Sequence, residues 1–379
     1  MRITVLGAGL VGSAIVQDLA QEKSFSVTAV DVNKGALAKL QAAAATTTVQ
    51  ADVREPGRIA ALAAGCDLMI CAVPGFMGFE TLKRIIEAGR NVVDISFFAE
   101  DPFLLDDLAR AKNVTAVIDC GVAPGLCNII AGRVATLLER VERYVCYVGG
   151  LPKIRRWPYE YRAVFSPQDV LEEYTRPARM VEGGEVVVRP ALSDVELLDF
   201  AGVGTLEAFN TDGLRSLMRT LAAPFMKEKT LRYPGHANLM RVFSQTGFFN
   251  PTPIEVEGVR VSPLAVTSRL IFDEWRMGKD DEDVTILQVT LEGCKGEKRV
   301  RHTFDLFDQY DRATHTTSMA RTTGYTCAIV ARQVSSGLFS QKGICPPEFV
   351  GRVAGCYDNV MAECDKRGIS VKETIAVVS

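Results

Sequence analysis

The chain opens with MRITVLGAGLVGSAIVQDLA (residues 1–20), in which Gly7, Gly9 and Gly12 separate a short apolar run from an amphipathic one. Glycine weakens strands and helices alike, so three of them at one junction need a reason. The spacing supplies it. Gly7 permits a tight turn out of a strand, Gly9 leaves room for a pyrophosphate, and Gly12 lets the following helix lie close to the strand. The amides of Leu10 and Val11 at the helix start then face the phosphates. A second apolar run, SVTAVD, ends at Asp31, nineteen residues after Gly12. A carboxylate there accepts hydrogen bonds from ribose hydroxyls and repels a 2′-phosphate. The next residues are Val32 and Asn33, with no arginine, so the pattern predicts NAD over NADP.

Outward from this loop, RITVLG, SVTAVD, TTTVQAD, DLMICAV, NVVDIS and VTAVID alternate with helical stretches at 10–21, 34–45, 78–88 and 102–112. Such alternation predicts crossover units and an α/β fold, a Rossmann doubly wound parallel sheet with both faces covered. Its ligand edge would carry Asp52 and Val53 after the third strand, Val73 and Pro74 of AVPGF after the fourth, and Asp119 at the end of the sixth. Beyond residue 122 the pattern changes. RYVCYVGGLP, GEVVVRP, TLEAFNT and KTLRYPG are strand-like, and DVTILQVTLEG and EKRVRHTFDLF flank the turn GCKGE. They predict a second α+β domain with a mixed or antiparallel sheet. Further helices are expected at 126–138, 319–336 and 349–368. The expected division is a dinucleotide-binding domain at 1–122, a substrate and dimerisation domain at 123–317, and C-terminal helices at 318–379 packing back on the first domain.

Apolar residues make up 47% of the 379 and charged residues 23%, with a net charge of −3. That charge gives no general attraction to nucleic acid or to an acidic membrane surface. No apolar run reaches the length of a membrane helix, and no basic leader precedes the first strand, so a cytoplasmic protein is expected. The ten cysteines show no two-residue spacing, and several sit in apolar runs. They read as buried reduced thiols. His236, His302 and His315 are the only histidines, too few for a histidine-rich metal site, and no metal is expected.

Taken in order, VLGAGLVG, VDISFF, DCGVAPGLCNIIAG, YVGGLP, EYTRPAR, LEAFNTDGLRS, LRYPGH and PPE resemble the saccharopine dehydrogenase-like group, and within it the L-lysine 6-dehydrogenases. The resemblance implies NAD-dependent oxidation of a C–N bond in a small amino acid. L-Lysine would give 2-aminoadipate 6-semialdehyde, which cyclises to piperideine-6-carboxylate, with ammonia and NADH as co-products. It also implies a homodimer or homotetramer. Two alternatives stand beside it. One is a saccharopine-type secondary-amine dehydrogenase or reductase, which needs cations for additional carboxylates. The other is a protein that senses NAD without turnover.

Amine oxidation needs a group to take the ammonium proton, a positioned water and a cation for the substrate carboxylate. His236, in YPGHANLMR, stands at an expected strand-to-helix junction and titrates in the useful range, which makes it the candidate base; a packing histidine is the alternative. NTDGLRS (210–216) reads as a turn entering a helix. Asn210, Thr211 and Arg215 there could hold a carboxylate, and Asp212 could meet an ammonium or cap the helix. Glu160 and Tyr161, in WPYEYRAVFS, are a further candidate base and a candidate pocket wall, and Arg241 is a second cation.

Overall fold

The computed structural model describes residues 1–278, 281–353 and 355–378. The chain forms two compact units. The first joins Met1–Leu138 to Met319–Val371, and the second holds Glu139–Ser318 and the residues from Lys372 onward.

The first unit begins with β1 (Arg2–Leu6), α1 (Leu10–Ala20), β2 (Ser26–Asp31), α2 (Lys34–Ala43), β3 (Thr47–Gln50), α3 (Arg58–Ala64), β4 (Leu68–Cys71), α4 (Gly75–Glu87), β5 (Asn91–Asp94), α5 (Asp106–Ala111), β6 (Thr115–Val117) and α6 (Leu126–Ala135). The sheet has seven parallel strands in the order Gly343–Cys345, β6, β5, β4, β1, β2, β3. The order therefore reverses beside β1, where doubly wound sheets open a crevice at the carboxyl ends of their strands. Sandwiched strands bury both faces, and all four residues of β4 are buried. Leu6, Val30, Met69, Cys71, Val92 and Ile344 share one core. α4 presents Leu82, Ile85 and Ile86 on its buried side, three and four residues apart.

Two of the helical stretches expected before residue 113 start or divide elsewhere. α4 starts at Gly75 with Pro74 as its N-cap, earlier than residue 78. The stretch expected at 102–112 is a 3₁₀ turn, Pro102–Leu105, followed by α5, because the Asp101 carboxylate accepts from the Phe103 amide and fixes the tight turn.

The second unit runs through β7 (Arg140–Pro152), α7 (Pro167–Thr175), β8 (Ala178–Glu182), β9 (Glu185–Arg189), β10 (Glu196–Phe200), β11 (Gly204–Asn210), α8 (Leu217–Thr220), β12 (Phe225–Arg232), α9 (His236–Thr246), β13 (Ile254–Val256), β14 (Val259–Val261), α10 (Pro263–Trp275), β15 (Asp283–Lys295) and β16 (Lys298–Gln309). The chain then forms α11 (Ser318–Ser336), β17 (Gly343–Cys345), α12 (Pro347–Arg352), α13 (Cys356–Lys366) and β18 (Val371–Val378). The second unit's sheet has nine strands, with the order β10, β11, β12, β7, β15, β16, β18 and with β8 and β9 branching from β12. It is mixed: β12 runs parallel to β7, while β11 with β12 and β15 with β7 and β16 are antiparallel. Along β16, Val300, His302, Phe304 and Leu306 point inward while Arg299, Arg301 and Asp305 point outward, the period-2 signature of a half-covered sheet.

The expected boundary at 122 falls short, since α6 belongs to the first unit, which runs on to Leu138. There the Asn128 amide donates to the Glu348 carboxylate on α12, at 3.0 Å. The expected helix at 349–368 is two helices, α12 and α13. The expected helical C-terminus is also corrected, because the chain ends in β18 within the second unit's sheet.

Candidate active site

At the carboxyl end of β1, Gly7 has φ +106°, and a Cβ there would lie 2.3 Å from the Ala72 carbonyl oxygen. A Cβ on Gly12 would lie 2.2 Å from the Gly7 carbonyl oxygen. Both positions are closed to any side chain by the protein itself. Gly9 is different. It is the N-cap of α1, carries no side-chain cap, and a Cβ there would meet nothing within 4 Å. Open space above an uncapped helix N-terminus is what a bound pyrophosphate needs, and the amides from Leu10 onward are positioned to hold it.

Asp31 sits at the end of β2 with its carboxylate fixed by two amides, Ala8 at 2.7 Å and Asn33 at 2.8 Å. Both oxygens keep lone pairs for further donors. Asn33 is spent on capping α2. Asp52 is held by Arg54, whose guanidinium donates at 3.0, 3.1 and 2.7 Å. These bonds lower the Asp52 carboxyl to about 2. The side chains of Val53 and Val73 are buried in the apolar core, so only their backbone can face a ligand. Asp119 is buried with φ +52°.

Beside it lies Asp94, the last residue of β5, with no exposed surface. Its Oδ1 accepts from the Ser96 amide, and its Oδ2 is buried without a hydrogen bond. The Ser96 hydroxyl lies 3.3 Å from the Cys71 thiol, and both flank the carboxyl. Burial above all, with the nearby Asp119 charge adding to it, pushes the Asp94 carboxyl up to about 7.

In the second unit, His236 is the first residue of α9 and only 4% exposed. Its Nδ1 lies 2.9 Å from the Tyr159 carbonyl and its Nε2 2.9 Å from the Tyr174 hydroxyl. A carbonyl only accepts, so Nδ1 carries the proton and Nε2 accepts from Tyr174. Arg232 Nε donates to the same hydroxyl at 3.2 Å, and Arg232 pairs with Glu173 at 2.5 Å. Burial first and the Arg232 charge second lower His236 to about 3. The expectation that His236 serves as a base titrating near neutrality is therefore corrected: both ring nitrogens are occupied and the ring stays neutral. Tyr161 belongs to the same buried cluster, with the Arg232 guanidinium 4.4 Å from its ring centroid and Trp275 at 5.4 Å. It packs into a buried apolar core.

Asp212 is likewise engaged. Arg179 grips it at 2.9 and 2.8 Å and adds its own amide at 3.1 Å, so it neither caps a helix nor stands ready for an ammonium. Asn210 donates to Ser193 at 3.1 Å, and Thr211 meets Thr230 at 3.0 Å. The helix expected after NTDGLRS is only α8, four residues, too short to offer an anion site. Arg215 is buried with φ +50°. Glu160 pairs with Arg155 at 2.7 Å, and Arg241 donates to the Leu192 carbonyl at 3.1 Å.

Residues 3–117 match the family model described as the saccharopine dehydrogenase NADP binding domain, and residues 121–369 match the saccharopine dehydrogenase C-terminal domain. The chain belongs to the saccharopine dehydrogenase family. Mitochondrial alpha-aminoadipic semialdehyde synthase of Bos taurus is 26% identical over 266 residues, covering 66% of this chain but only 28% of that protein. Saccharopine dehydrogenase [NADP(+), L-glutamate-forming] of Schizosaccharomyces pombe is 21% identical over 98% of both chains. The apo saccharopine dehydrogenase (L-Glu forming) of Saccharomyces cerevisiae shares the fold, with a TM-score of 0.81, 17% identity and 99% coverage of each chain.

Two residues of this family member carry more than their local sequence announces. Arg232 is the centre of the buried cluster around His236, yet in KTLRYPG it reads as one more surface cation. Asp94 had a visible signal: an acid closing the apolar run NVVD on the ligand edge of a parallel sheet.

Proposed function

We propose that this chain oxidises a secondary amine of the saccharopine type with NAD, releasing L-glutamate, or runs the same reaction in reverse. The relative named for forming L-glutamate, aligned over 98% of both chains, carries this reading. It favours a secondary amine over direct oxidation of L-lysine. A hydride leaves the carbon bonded to nitrogen, giving a C=N bond. Water adds to that bond, and C–N cleavage yields an aldehyde and the amine of glutamate. A bound dinucleotide supplies the hydride acceptor. The loop of Gly7, Gly9 and Gly12 holds its pyrophosphate. Arg215, with Asn210 and Thr211 nearby in the chain, is assigned to a substrate carboxylate.

NAD is proposed although the relatives' names carry NADP(+). Asp31 supports the choice, because its carboxylate is locked at the end of β2 by two amides. The Arg54 guanidinium is committed to Asp52. The test is kcat/KM with each dinucleotide against saccharopine and L-lysine, with product analysis. NAD and saccharopine should win, glutamate should appear, and Arg215→Ala should raise KM more than it lowers kcat. Higher efficiency with NADP would overturn the cofactor assignment. Ammonia from lysine without glutamate from saccharopine would overturn the substrate.

A further inference from the structure

We propose that Asp94 is a charge partner of the nicotinamide, giving up its proton when the oxidised, cationic dinucleotide binds and keeping it when the reduced form binds. The inference rests on the reading that the first unit binds NAD.

Position is the first support. The strand order reverses beside β1, so β2 and β3 lie on one side of the crevice and β4, β5 and β6 on the other. The acidic residue at the end of β2 marks the adenosine side, which leaves the nicotinamide half to the side of β4 and β5. Asp94 closes β5 on that edge.

Burial is the second. The carboxyl has no exposed surface, and charges in such surroundings interact far more strongly than in water. Its Oδ2 is buried without a hydrogen bond, and the Ser96 and Cys71 groups that favour the ionised form do not outweigh the cost of burial.

The third support is the company it keeps. Facing it are the Asp119 carboxyl beyond β6, the Cys71 thiol of β4, the Ser96 hydroxyl, and the thiols of Cys120 and Cys327, the latter on α11. Each of these groups is neutral or anionic, and the negative charge of Asp94 raises the Cys120 and Cys327 thiols further above their ordinary range. A cationic ring arriving at this edge is the charge that favours ionisation of Asp94. The carboxyl sits at about 7, so it is half-titrated where such a cation can tip it.

The sign follows by linkage. If the cation lowers the carboxyl's pKa by one unit, affinity for NAD⁺ rises about tenfold as pH climbs through the titration, while NADH, neutral at the nicotinamide, gains nothing. Dissociation constants for NAD⁺ by calorimetry and NADH by fluorescence, at pH 6, 7 and 8, test this in the parent and in Asp94→Asn. The Kd ratio of NADH to NAD⁺ should rise about fivefold from pH 6 to 8 in the parent, most of the tenfold limit. In Asp94→Asn it should stay at the parent's pH 6 value. A ratio that is flat in the parent, or equally steep in the variant, overturns the proposal while leaving NAD binding intact. Failure of both dinucleotides to bind overturns it together with the reading beneath it. Should the variant not fold, calorimetry of the parent near pH 7 in buffers of different ionisation enthalpy decides. Proton release on binding NAD⁺ but not NADH supports the proposal, and none with either overturns it.

Discussion

His236 and Asp94 are both buried, and burial moves them in opposite senses. His236 falls from an ordinary 6.5 to about 3, so the fold holds it neutral. Its contribution to stability is fully present above about 6.5 and is lost as pH falls toward 3. Asp94 rises from 3.8 to about 7, so the fold holds it protonated. Its contribution is complete below about 3.8 and is lost as pH rises toward 7. Each slope is about 1.4 kcal/mol per pH unit. Asp94→Asn should therefore gain on the parent as pH rises from 4.5 to 6.5, and His236→Gln should lose ground over the same interval. Urea unfolding at pH 4.5, 5.5 and 6.5 checks this, and difference slopes of the same sign would refute it. Turnover per folded molecule should survive His236→Gln, since the ring has no free nitrogen to offer. The sequence located this histidine at the right junction but not in the right role. Its partners Tyr174 and Tyr159 lie 62 and 77 residues away, beyond the reach of any local pattern.

At the scale of elements, β1, the glycine turn, α1 and β2 were legible because each is set by contacts within a few residues. Apolar runs mark the strands, helical spacing marks the helix, and the glycines mark a turn with no room for side chains. β17 and β18 were not legible. β17 is three residues long and gains its strand character from pairing Ile344 with Ala116 on β6, a contact carrying no local signal. The glycines also separate fold from ligand. Gly7→Ala forces a side chain at φ +106° into the Ala72 carbonyl. It should cost about 2 kcal/mol or more in stability. Gly9→Val enters open space at φ −71°, so the melting temperature should hardly move while NAD affinity collapses. Thermal unfolding with and without NAD distinguishes the two. An unstable Gly9→Val, or one that still binds NAD normally, would show that the space above α1 is not the pyrophosphate site.

At the scale of the molecule, the first unit is discontinuous in sequence, and this governs how it can be divided. β17 completes the edge beyond β6, and the Cys345 carbonyl accepts from the Ile118 amide at 3.2 Å. Ile344 fills the same core as Leu6 and Val92. Asp18, buried on α1, is held by Arg332 at 2.5 Å and by Arg367 at 2.7 Å, from α11 and just past α13. Residues 1–138 alone would thus expose the β6 edge and an apolar core, and would lose the ion pairs that Arg332 and Arg367 make with Asp18. This fragment should show no cooperative unfolding. Joining 1–138 to 319–371 through a flexible linker should restore a cooperative transition, because the core, the edge strand and both arginines return together. NAD at a hundredfold excess over its Kd should then stabilise the joined chain by about 2.7 kcal/mol. Cooperative folding of 1–138 alone would show that the returning segment decorates the unit and does not complete it. A joined chain that folds but ignores NAD would show that the loop at Gly7, Gly9 and Gly12 cannot hold the dinucleotide without residues of the second unit.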